Sequence, residues 1–432
     1  MSTRFFLTTL LVTAAAVPAF AQVAAPPVAP APLTPVAPPP AGTAVSAQPD
    51  ALAPAPAPVE LPPPAWPIPA AQELAAYVRT VGSEGLDPRD YGPDRLDAAL
   101  RSGNPQLLAE AATRTFKQLA SDLALGHVRG SARHQWFVTD PDLAGDRLQQ
   151  LLMQAVTRGG VAEIMRGLLP THPQYGALRH ALTVEQAGGA AAVGKIRLNM
   201  DRWRWLPRDL GQRYIIVNVP GEHATLVENA QTRWKHRAIA GAVKTPTPQL
   251  SVNATGVILN PWWEVPKSLT GEVAGKRGYV AVRGKDGKVQ RWRQPPGPGN
   301  ALGKIKFVMQ NPHAIYLHDT NNRSLFDARA RFLSHGCIRT ENILDLAAEL
   351  LSDDGGEFNQ AKIDEVLASG KTVQANFVRP VPVYIVYFST AALTDGQLVQ
   401  YNDLYKRDGR VLAALNDTGG PTKPATKTAS SN

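Results

Sequence analysis

Apolar residues recur at the three- and four-residue spacing of amphipathic helices along the first folded-looking part of the chain. Leu74, Val78 and Val81 share one helical face, and leucines and alanines over residues 96–112 continue the spacing. Turns rich in Pro, Gly and Asn separate these segments. The pattern predicts a helical domain over residues 71–182.

The apolar pattern changes after an Ala- and Gly-rich stretch, which predicts a connector over residues 183–200. Beyond it, β-branched and aromatic residues form short runs bounded by turn residues, which is typical of strands. These runs predict a mainly β domain over residues 201–405, with a Gly-, Pro-, Arg- and Trp-rich insertion at 262–299. The chain is therefore predicted to be a multi-domain α+β protein. The predicted strands cover residues 214–219, 224–227, 234–240, 314–318, 375–378 and 381–388.

Both ends of the chain differ in composition from these two domains. Residues 1–21 combine one early Arg with a short apolar run and end in Ala-Phe-Ala, which is typical of a cleaved signal peptide. The Pro- and Ala-rich residues 22–70 predict an extended linker, and the polar residues 406–432 predict a disordered tail. We therefore expect a periplasmic protein, with an N-terminal inner-membrane anchor as the alternative. No later segment is long and apolar enough to predict a stable membrane span.

Charge and cysteine content narrow the classes of function. The net charge of +9 is modest for 432 residues, and the sequence has no basic stripe interleaved with aromatic residues. Nucleic-acid binding is therefore not expected. The one cysteine, Cys337, cannot form an internal disulfide, so it is either a reactive thiol or a buried structural residue. The histidines of the helical domain lack metal-ligand spacing, and no metal site is predicted.

The sequence around the cysteine contains the densest chemistry in the chain. Tyr316 and His318 fall on one face of a predicted strand, because alternate residues of a strand point the same way. Ser-His-Gly-Cys at residues 334–337 places the thiol in a tight turn, and Thr340 is predicted to cap a helix directly after it. A helix N-terminus and the charge of Arg339 would favour a thiolate.

These residue types are the parts that acyl transfer through a thioester requires. They are a nucleophilic thiol, a histidine base and backbone N–H groups that face an oxyanion. The alternative is a non-catalytic protein in which His318 is an ordinary surface residue and Cys337 is buried. Fast labelling of the native thiol near neutral pH would distinguish the enzyme from this alternative.

A histidine followed by Ser-His-Gly-Cys, within residues 314–342, resembles the catalytic signature of the YkuD-type L,D-transpeptidases. The resemblance covers about residues 71–405 and is greatest to the YcbB-like group, in which a helical scaffold domain precedes the catalytic domain. Its further segments include Glu-Gly-Leu-Asp-Pro at 84–88, Lys-Thr-Pro-Thr-Pro at 244–248 and Leu-Asn-Pro-Trp-Trp-Glu-Val-Pro at 259–266.

The resemblance implies a role for each residue of the signature. Cys337 is the nucleophile and His318 the general base, oriented by the backbone carbonyl or by the carboxylate of Asp319. His335 and Gly336 shape the turn and the oxyanion site. The implied substrate-binding residues are Arg339, with a surface charge as its alternative role, Tyr316, and Trp262 and Trp263, for which core packing is the alternative.

In the implied reaction, the donor is a peptidoglycan stem tetrapeptide that ends in diaminopimelate–D-Ala. The cysteine takes the diaminopimelate acyl group with release of D-Ala, and an amine of a second stem accepts it in a 3→3 cross-link. No cofactor is implied, and carbapenem-type inhibitors are expected to acylate the cysteine. The alternatives are an L,D-carboxypeptidase or cross-link hydrolase at the same site, and a non-catalytic wall scaffold.

The resemblance also bears on two segments outside the signature. The insertion at 262–299 resembles the capping subdomain that flanks the cleft in this group. Related proteins carry a small peptidoglycan-binding domain between the scaffold and the catalytic domain. The stretch at 183–195 is too short for such a domain.

Overall fold

The computed structural model describes residues 62–185, 189–353, 355–393 and 397–417. These residues belong to one compact unit. The predicted signal peptide lies outside the described residues, as do most of the predicted linker and the end of the predicted tail. Within the described ranges, no helix combines the length and the apolar composition needed to cross a bilayer.

The N-terminal half is helical, as predicted, because each helix buries its apolar face in a shared core. Leu74 and Val78 are fully buried in this core. The longest helix begins at Pro105, and the side chain of Asn104 caps it by accepting hydrogen bonds from backbone N–H groups of the first turn. The helices are α1 Ile68–Thr80, α2 Pro93–Ser102, α3 Pro105–Leu125, α4 Arg147–Arg158, α5 Val161–Gly167, α6 Pro173–Glu185 and α7 Ala190–Trp203.

The structure differs from three boundaries that composition predicted. Packed structure begins before residue 71, since Trp66 is buried and its indole N–H donates to Thr113 Oγ1 (3.0 Å). Helix α7 fills most of the predicted connector. A helix at Asp408–Leu415 lies inside the predicted tail. Asp408, at the start of this helix, forms an ion pair with Arg202 on α7 (2.8 Å). Composition missed these segments because contacts distant in sequence stabilise them.

The C-terminal half is mainly β, as predicted. Its strands, with one short strand from the helical half, are β1 Trp136–Phe137, β2 Arg213–Asn218, β3 His223–Glu228, β4 Gln231–Gly241, β5 Gln249–Leu259, β6 Trp263–Glu264, β7 Val280–Arg283, β8 Val289–Gln294, β9 Ile305–Met309, β10 Leu317–His318, β11 Phe332–Ser334, β12 Ile338–Thr340, β13 Val373–Val386, β14 Thr390–Ala392 and β15 Leu398–Gln400. The remaining helices are α8 Thr270–Val273, α9 Ile343–Asp353, α10 Gln360–Ser369 and α11 Asp408–Leu415.

Eight of these strands close into a barrel. They follow one another in the order β5, β13, β2, β3, β4, β12, β10 and β9, and β9 pairs back onto β5. The ring mixes antiparallel pairs with two parallel ones, β2 with β13 and β10 with β12. Outside the ring, strand β11 pairs with the last residues of β4, and β1 pairs with the first residues of β5.

Residue alternation divides the barrel strands between two cores. In β2, Ile215 and Val217 face the barrel interior, whereas Tyr214 and Ile216 pack toward the helical core. A strand that is buried on both faces has a continuous run of apolar residues, and this run is why the sequence predicted β2. The strands predicted at 375–378 and 381–388 are one strand, β13, interrupted by a register shift.

The predicted insertion forms a small separate layer, here called the cap. Its strands β6, β8 and β7 make a three-stranded sheet, and α8 lies beside it. Val265, Leu269 and Val273 form its own small apolar cluster. The cap therefore has a small apolar core of its own.

Candidate active site

Cross-strand register brings three ionisable residues into one row on the barrel. Lys306 on β9 pairs with His318 on β10, and His318 pairs with Arg339 on β12. Their chain neighbours Leu317 and Ile338 face the barrel core. Because alternate residues of a strand point to opposite sides, the row lies on the outer face of the barrel.

The nucleophile predicted from sequence lies beside this row. The backbone N–H of Ile338 donates to the carbonyl of Tyr316 (3.1 Å), which places Cys337 next to Tyr316 on the same face. The Tyr316 hydroxyl lies near enough to the thiol to influence its pKa, and the thiol donates to the Ala314 carbonyl (3.5 Å). The Tyr316 and His318 rings are in edge contact at 5.6 Å. The structure therefore brings together Cys337, His318 and Tyr316, as the sequence predicted.

His318 is held as a neutral base. It is buried, and its Nδ1 donates to the backbone carbonyl of Asp319 (2.5 Å), so that Nε2 is the unprotonated nitrogen. Burial lowers the pKa of His318 to about 3, and the charges of Arg339 and Lys306 act in the same direction. The hydrogen bond to Asp319 opposes this shift but does not overcome it. At neutral pH the imidazole can therefore accept a proton.

The open question about Asp319 has a clear structural answer. Its backbone carbonyl orients His318, and its carboxylate does not. Oδ2 accepts a hydrogen bond from the Lys304 backbone N–H (2.9 Å), and Oδ1 pairs with Arg323 (3.1 Å). The side chain thus ties the residue after His318 to the start of β9 and to Arg323, and acts as a positioning group.

The prediction of a thiolate at Cys337 is wrong, because the thiol does not lie at a helix N-terminus. Strand β12 follows Cys337 directly, Thr340 lies within that strand, and helix α9 begins only at Ile343. The helix N-terminus is therefore too far along the chain to lower the pKa of the thiol, since this effect fades within one turn. Burial raises the pKa of Cys337 above its ordinary value, against hydrogen bonds from Tyr316 and the charges of Lys306 and Arg339.

The turn before the nucleophile is tied down by hydroxyl groups. Ser334 Oγ accepts from the Gly336 N–H (3.1 Å) and donates to the Cys337 carbonyl (2.5 Å). Gly336 has φ +118°, which side-chain-bearing residues rarely adopt. Since the Gly336 N–H is engaged, the N–H of Cys337 is the donor that this turn can offer to an oxyanion. The half-exposed His335 ring faces Glu272 of the cap (3.5 Å) instead.

Gly241, at the end of β4, was not predicted from the sequence. A Cβ at this position would lie 2.1 Å from the Thr245 carbonyl oxygen and 3.1 Å from Gly336 Cα. Thr247 links the same two segments, since its hydroxyl donates to the Gly336 carbonyl (2.8 Å) and accepts from the Gly241 N–H (2.9 Å). The backbone before Cys337 can therefore approach β4 only because residue 241 has no side chain.

The Gly241→Ala variant is expected to be both less stable and less active. The added methyl would push the Thr245 and Gly336 backbones apart, costing about 2–3 kcal/mol in the free energy of unfolding. A shift near 1 Å at Cys337 would reduce turnover by about 100-fold. Urea unfolding would measure the loss of stability, and the rate of thiol alkylation would report the displacement of Cys337. Gly271→Ala is the matched control, because a Cβ there meets nothing within 4 Å. Equal behaviour of the two variants would contradict this role.

The two cations of the row have no anionic partner among the described residues. Within the part of the chain that the structure describes, the side chains of Arg339 and Lys306 form no ion pair or hydrogen bond, and Arg339 Nε is buried without an acceptor. Burial lowers the pKa of both residues, which the charge of Cys337 would oppose. Lys306 Nζ lies 4.3 Å from the centroid of the Tyr316 ring. Sequence reasoning missed Lys306, since only the β9–β10 register brings it to the site.

The two predicted tryptophans of the cap have different surroundings. The indole of Trp263 acts on the pKa of the Tyr316 hydroxyl, so Trp263 lies beside the nucleophile's neighbour. Trp262 instead stacks under the Arg293 guanidinium, 3.5 Å from the ring centroid, within the cap itself. The structure therefore joins Trp263 to the site and gives Trp262 a packing contact.

Comparison with known families accounts for this geometry. Residues 212–382 match the YkuD family, described as an L,D-transpeptidase catalytic domain, and residues 63–182 match the scaffold domain family. The chain contains a YkuD-type L,D-transpeptidase catalytic domain. The resemblance of the signature to this family is thereby confirmed, whereas the narrower YcbB-like assignment stays a prediction.

Individual relatives of this L,D-transpeptidase domain are more distant. A Haemophilus influenzae protein provisionally named L,D-transpeptidase is 31% identical over an alignment of 249 residues that covers 51% of this chain and 50% of the relative. The chain thus spans about half the length of this curated relative. The L,D-transpeptidase from Mycobacterium smegmatis is 15% identical, with 40% of this chain and 58% of that chain covered at a TM-score of 0.23. The catalytic domain of the Enterococcus faecium enzyme acylated by ertapenem is 15% identical, over 41% and 98%, at 0.20.

Proposed function

We propose that this protein is a peptidoglycan L,D-transpeptidase that forms 3→3 cross-links by acyl transfer through Cys337. The observation that supports this most strongly is the neutral thiol on one barrel face with an imidazole whose Nδ1 is fixed and whose Nε2 is free. The unpartnered guanidinium of Arg339 two residues beyond the nucleophile suits a substrate carboxylate.

The first half-reaction follows from the protonation states. Cys337 Sγ attacks the carbonyl carbon at the L-centre of diaminopimelate, and His318 Nε2 takes the thiol proton as the S–C bond forms. The carbonyl oxygen becomes an oxyanion beside the Cys337 N–H. The C–N bond to D-Ala then breaks, and His318 returns the proton to the leaving amine. The products are a thioester on Cys337 and free D-Ala.

The second half-reaction repeats these steps with a different nucleophile. The side-chain amine of another stem attacks the thioester carbonyl while His318 removes a proton from it. The S–C bond breaks, the sulfur recovers its proton, and a new amide bond joins the two stems. Water in place of the amine would give an L,D-carboxypeptidase with the same residues.

The same site predicts how β-lactams would react. In a carbapenem, Cys337 would attack the lactam carbonyl, the lactam C–N bond would open, and the ring nitrogen would take the proton. The acylated cysteine would then block the donor stem. We further propose that the protein acts in the periplasm, exported by residues 1–21, which lie outside the described residues.

Product analysis tests the proposed function. The mature protein would be incubated with disaccharide-tetrapeptides, and products would be identified by mass spectrometry. Cross-linked dimers together with free D-Ala are the expected result. Tripeptide and D-Ala without dimers would reassign the protein as a carboxypeptidase. No turnover, and no adduct with a carbapenem, would leave the non-catalytic wall scaffold.

A further inference from the structure

Thr247 is a fully buried residue of the segment between β4 and β5, and the reaction steps above leave it without a role. Each of its polar groups has a partner. The hydroxyl donates to the Gly336 carbonyl (2.8 Å) and accepts from the Gly241 N–H (2.9 Å). The backbone N–H donates to the Tyr405 hydroxyl (3.2 Å), and the carbonyl accepts from the Arg407 guanidinium (3.2 Å). These contacts hold Thr247 in one position.

The hydroxyl contact determines the direction of the peptide bond between Gly336 and Cys337. A peptide group is planar and trans, so its C=O and N–H point in opposite directions. Because Thr247 binds the Gly336 carbonyl, the Cys337 N–H points away from Thr247. That N–H is the donor that the turn can offer to an oxyanion. A hydroxyl on one side of the peptide group thus sets the direction of the oxyanion donor on the other side.

This peptide bond needs an anchor because it follows a glycine. Gly336 has φ +118°, in a region of backbone conformation that other residues rarely occupy. With no Cβ to restrict rotation, the peptide group after it has many accessible orientations. The Ser334 hydroxyl binds the Gly336 N–H and the Cys337 carbonyl, which belong to the two flanking peptide bonds. Thr247 therefore holds the peptide plane that lies between those two.

Two prolines and the C-terminal segment fix Thr247 itself. Thr247 lies between Pro246 and Pro248 in the Lys-Thr-Pro-Thr-Pro stretch. Proline fixes its own φ and restricts the preceding residue to extended conformations, so folding removes little backbone freedom here. Tyr405 and Arg407, which contact the backbone polar groups, lie beyond residue 382, where the match to the catalytic-domain family ends. The anchor therefore depends on a segment outside the matched domain.

We propose that Thr247 is the positioning residue of the oxyanion site, in which its hydroxyl directs the Cys337 N–H through the Gly336 carbonyl. This inference rests on the proposed function, because an oxyanion forms only when the thiol attacks a carbonyl. Loss of the hydroxyl would leave the sulfur in place but free the peptide plane to rotate away from the developing charge. Reactions that pass through a tetrahedral intermediate would slow, whereas alkylation of the same thiol would not.

Replacement of the hydroxyl by a methyl group tests the assignment. Thr247→Val keeps the shape of the side chain and is expected to lower kcat for D-Ala release, and the rate of carbapenem acylation, by about 100-fold. KM should change by less than about threefold, because binding of the stem peptide does not use the oxyanion donor. Iodoacetamide alkylation should keep the wild-type rate. Thr247→Ser restores the hydroxyl and is expected to recover most of the loss.

Variants of two tyrosines test the support behind Thr247, and they carry the same test if Thr247→Val does not fold. Tyr405→Phe keeps the ring and removes the hydroxyl that accepts from the Thr247 N–H. A smaller loss of the same kind is expected, about 10-fold in kcat with alkylation unchanged. Tyr401→Phe is the matched control, since the hydroxyl of the half-buried Tyr401 forms no hydrogen bond within the described residues. The control should behave as wild type.

The proposal would be overturned if folded Thr247→Val were acylated at the wild-type rate, or if folded Thr247→Ser were as slow as Thr247→Val. It would also fail if alkylation slowed by the same factor as acylation, since this would indicate a displaced thiol rather than a rotated peptide group. Absence of both D-Ala release and a carbapenem adduct from wild type would instead reject the proposed function, on which this role of Thr247 depends.

Discussion

Replacing the nucleophile in the Cys337→Ser variant is expected to lower D-Ala release from a tetrapeptide donor by about 10⁴-fold or more. The serine hydroxyl is nearly isosteric with the thiol but is a far weaker nucleophile and ionises at much higher pH. His318 is a weak base here, since burial lowers its pKa to about 3, and it would not activate a hydroxyl efficiently. The fold should be retained, because the turn is held by Ser334 and Thr247 rather than by the sulfur.

Covalent labelling can be assigned to the nucleophile without ambiguity, because Cys337 is the only cysteine of the chain. Mass spectrometry after incubation with a carbapenem would detect a single adduct on wild type and none on Cys337→Ala. Urea unfolding of the serine variant would check that the fold is intact. Substantial turnover by a folded Cys337→Ala protein would exclude Cys337 as the nucleophile.

Removal of the base in His318→Gln is expected to lower D-Ala release at pH 7 by about 10²- to 10⁴-fold. The thiol is protonated at this pH, because burial raises its pKa, so attack requires a group that takes the proton. Without the imidazole, only the small thiolate fraction reacts. At pH values below the pKa of the thiol, the thiolate fraction increases tenfold for each unit by which the pH rises.

The pH dependence distinguishes this mechanism from a preformed thiolate. His318 in wild type stays neutral down to about pH 3, so its loss of function as a base should appear only under strongly acidic conditions. The His318→Gln variant should instead gain activity steadily from pH 7 to pH 9. Iodoacetamide alkylation of Cys337 over the same range would follow thiolate formation directly. A variant rate that does not depend on pH would contradict a neutral thiol.

Local patterns in the sequence predicted what local forces determine. The 3.6-residue periodicity around Leu74 predicted helices, and the apolar run of β2 predicted a strand buried on both faces. The Ser-His-Gly-Cys turn and the alternation of Tyr316 and His318 predicted the faces of the active-site side chains. Each of these depends on residues within a few positions of one another.

Features that depend on register between distant segments were not predicted. Lys306 enters the site through its pairing with His318, and Gly241 matters because two backbones cross beside it. The prediction for the thiol pKa failed for a related reason. The three residues that follow Cys337 pair with β4 and β10. They therefore form a strand at the place where the local sequence alone favours a helix cap.

The closed ring of strands has a consequence for how this protein could diversify. Strands β9, β10 and β12, which carry Lys306, His318 and Arg339, have neighbours on both sides, so none can slip without breaking the ring. The reacting groups therefore share the cooperative stability of the whole barrel. The cap has free sheet edges and its own small core, and it contacts the site through Trp263 and Glu272. Sequence changes in the cap can alter which ligands reach the site while the strands that carry the reacting groups stay in place.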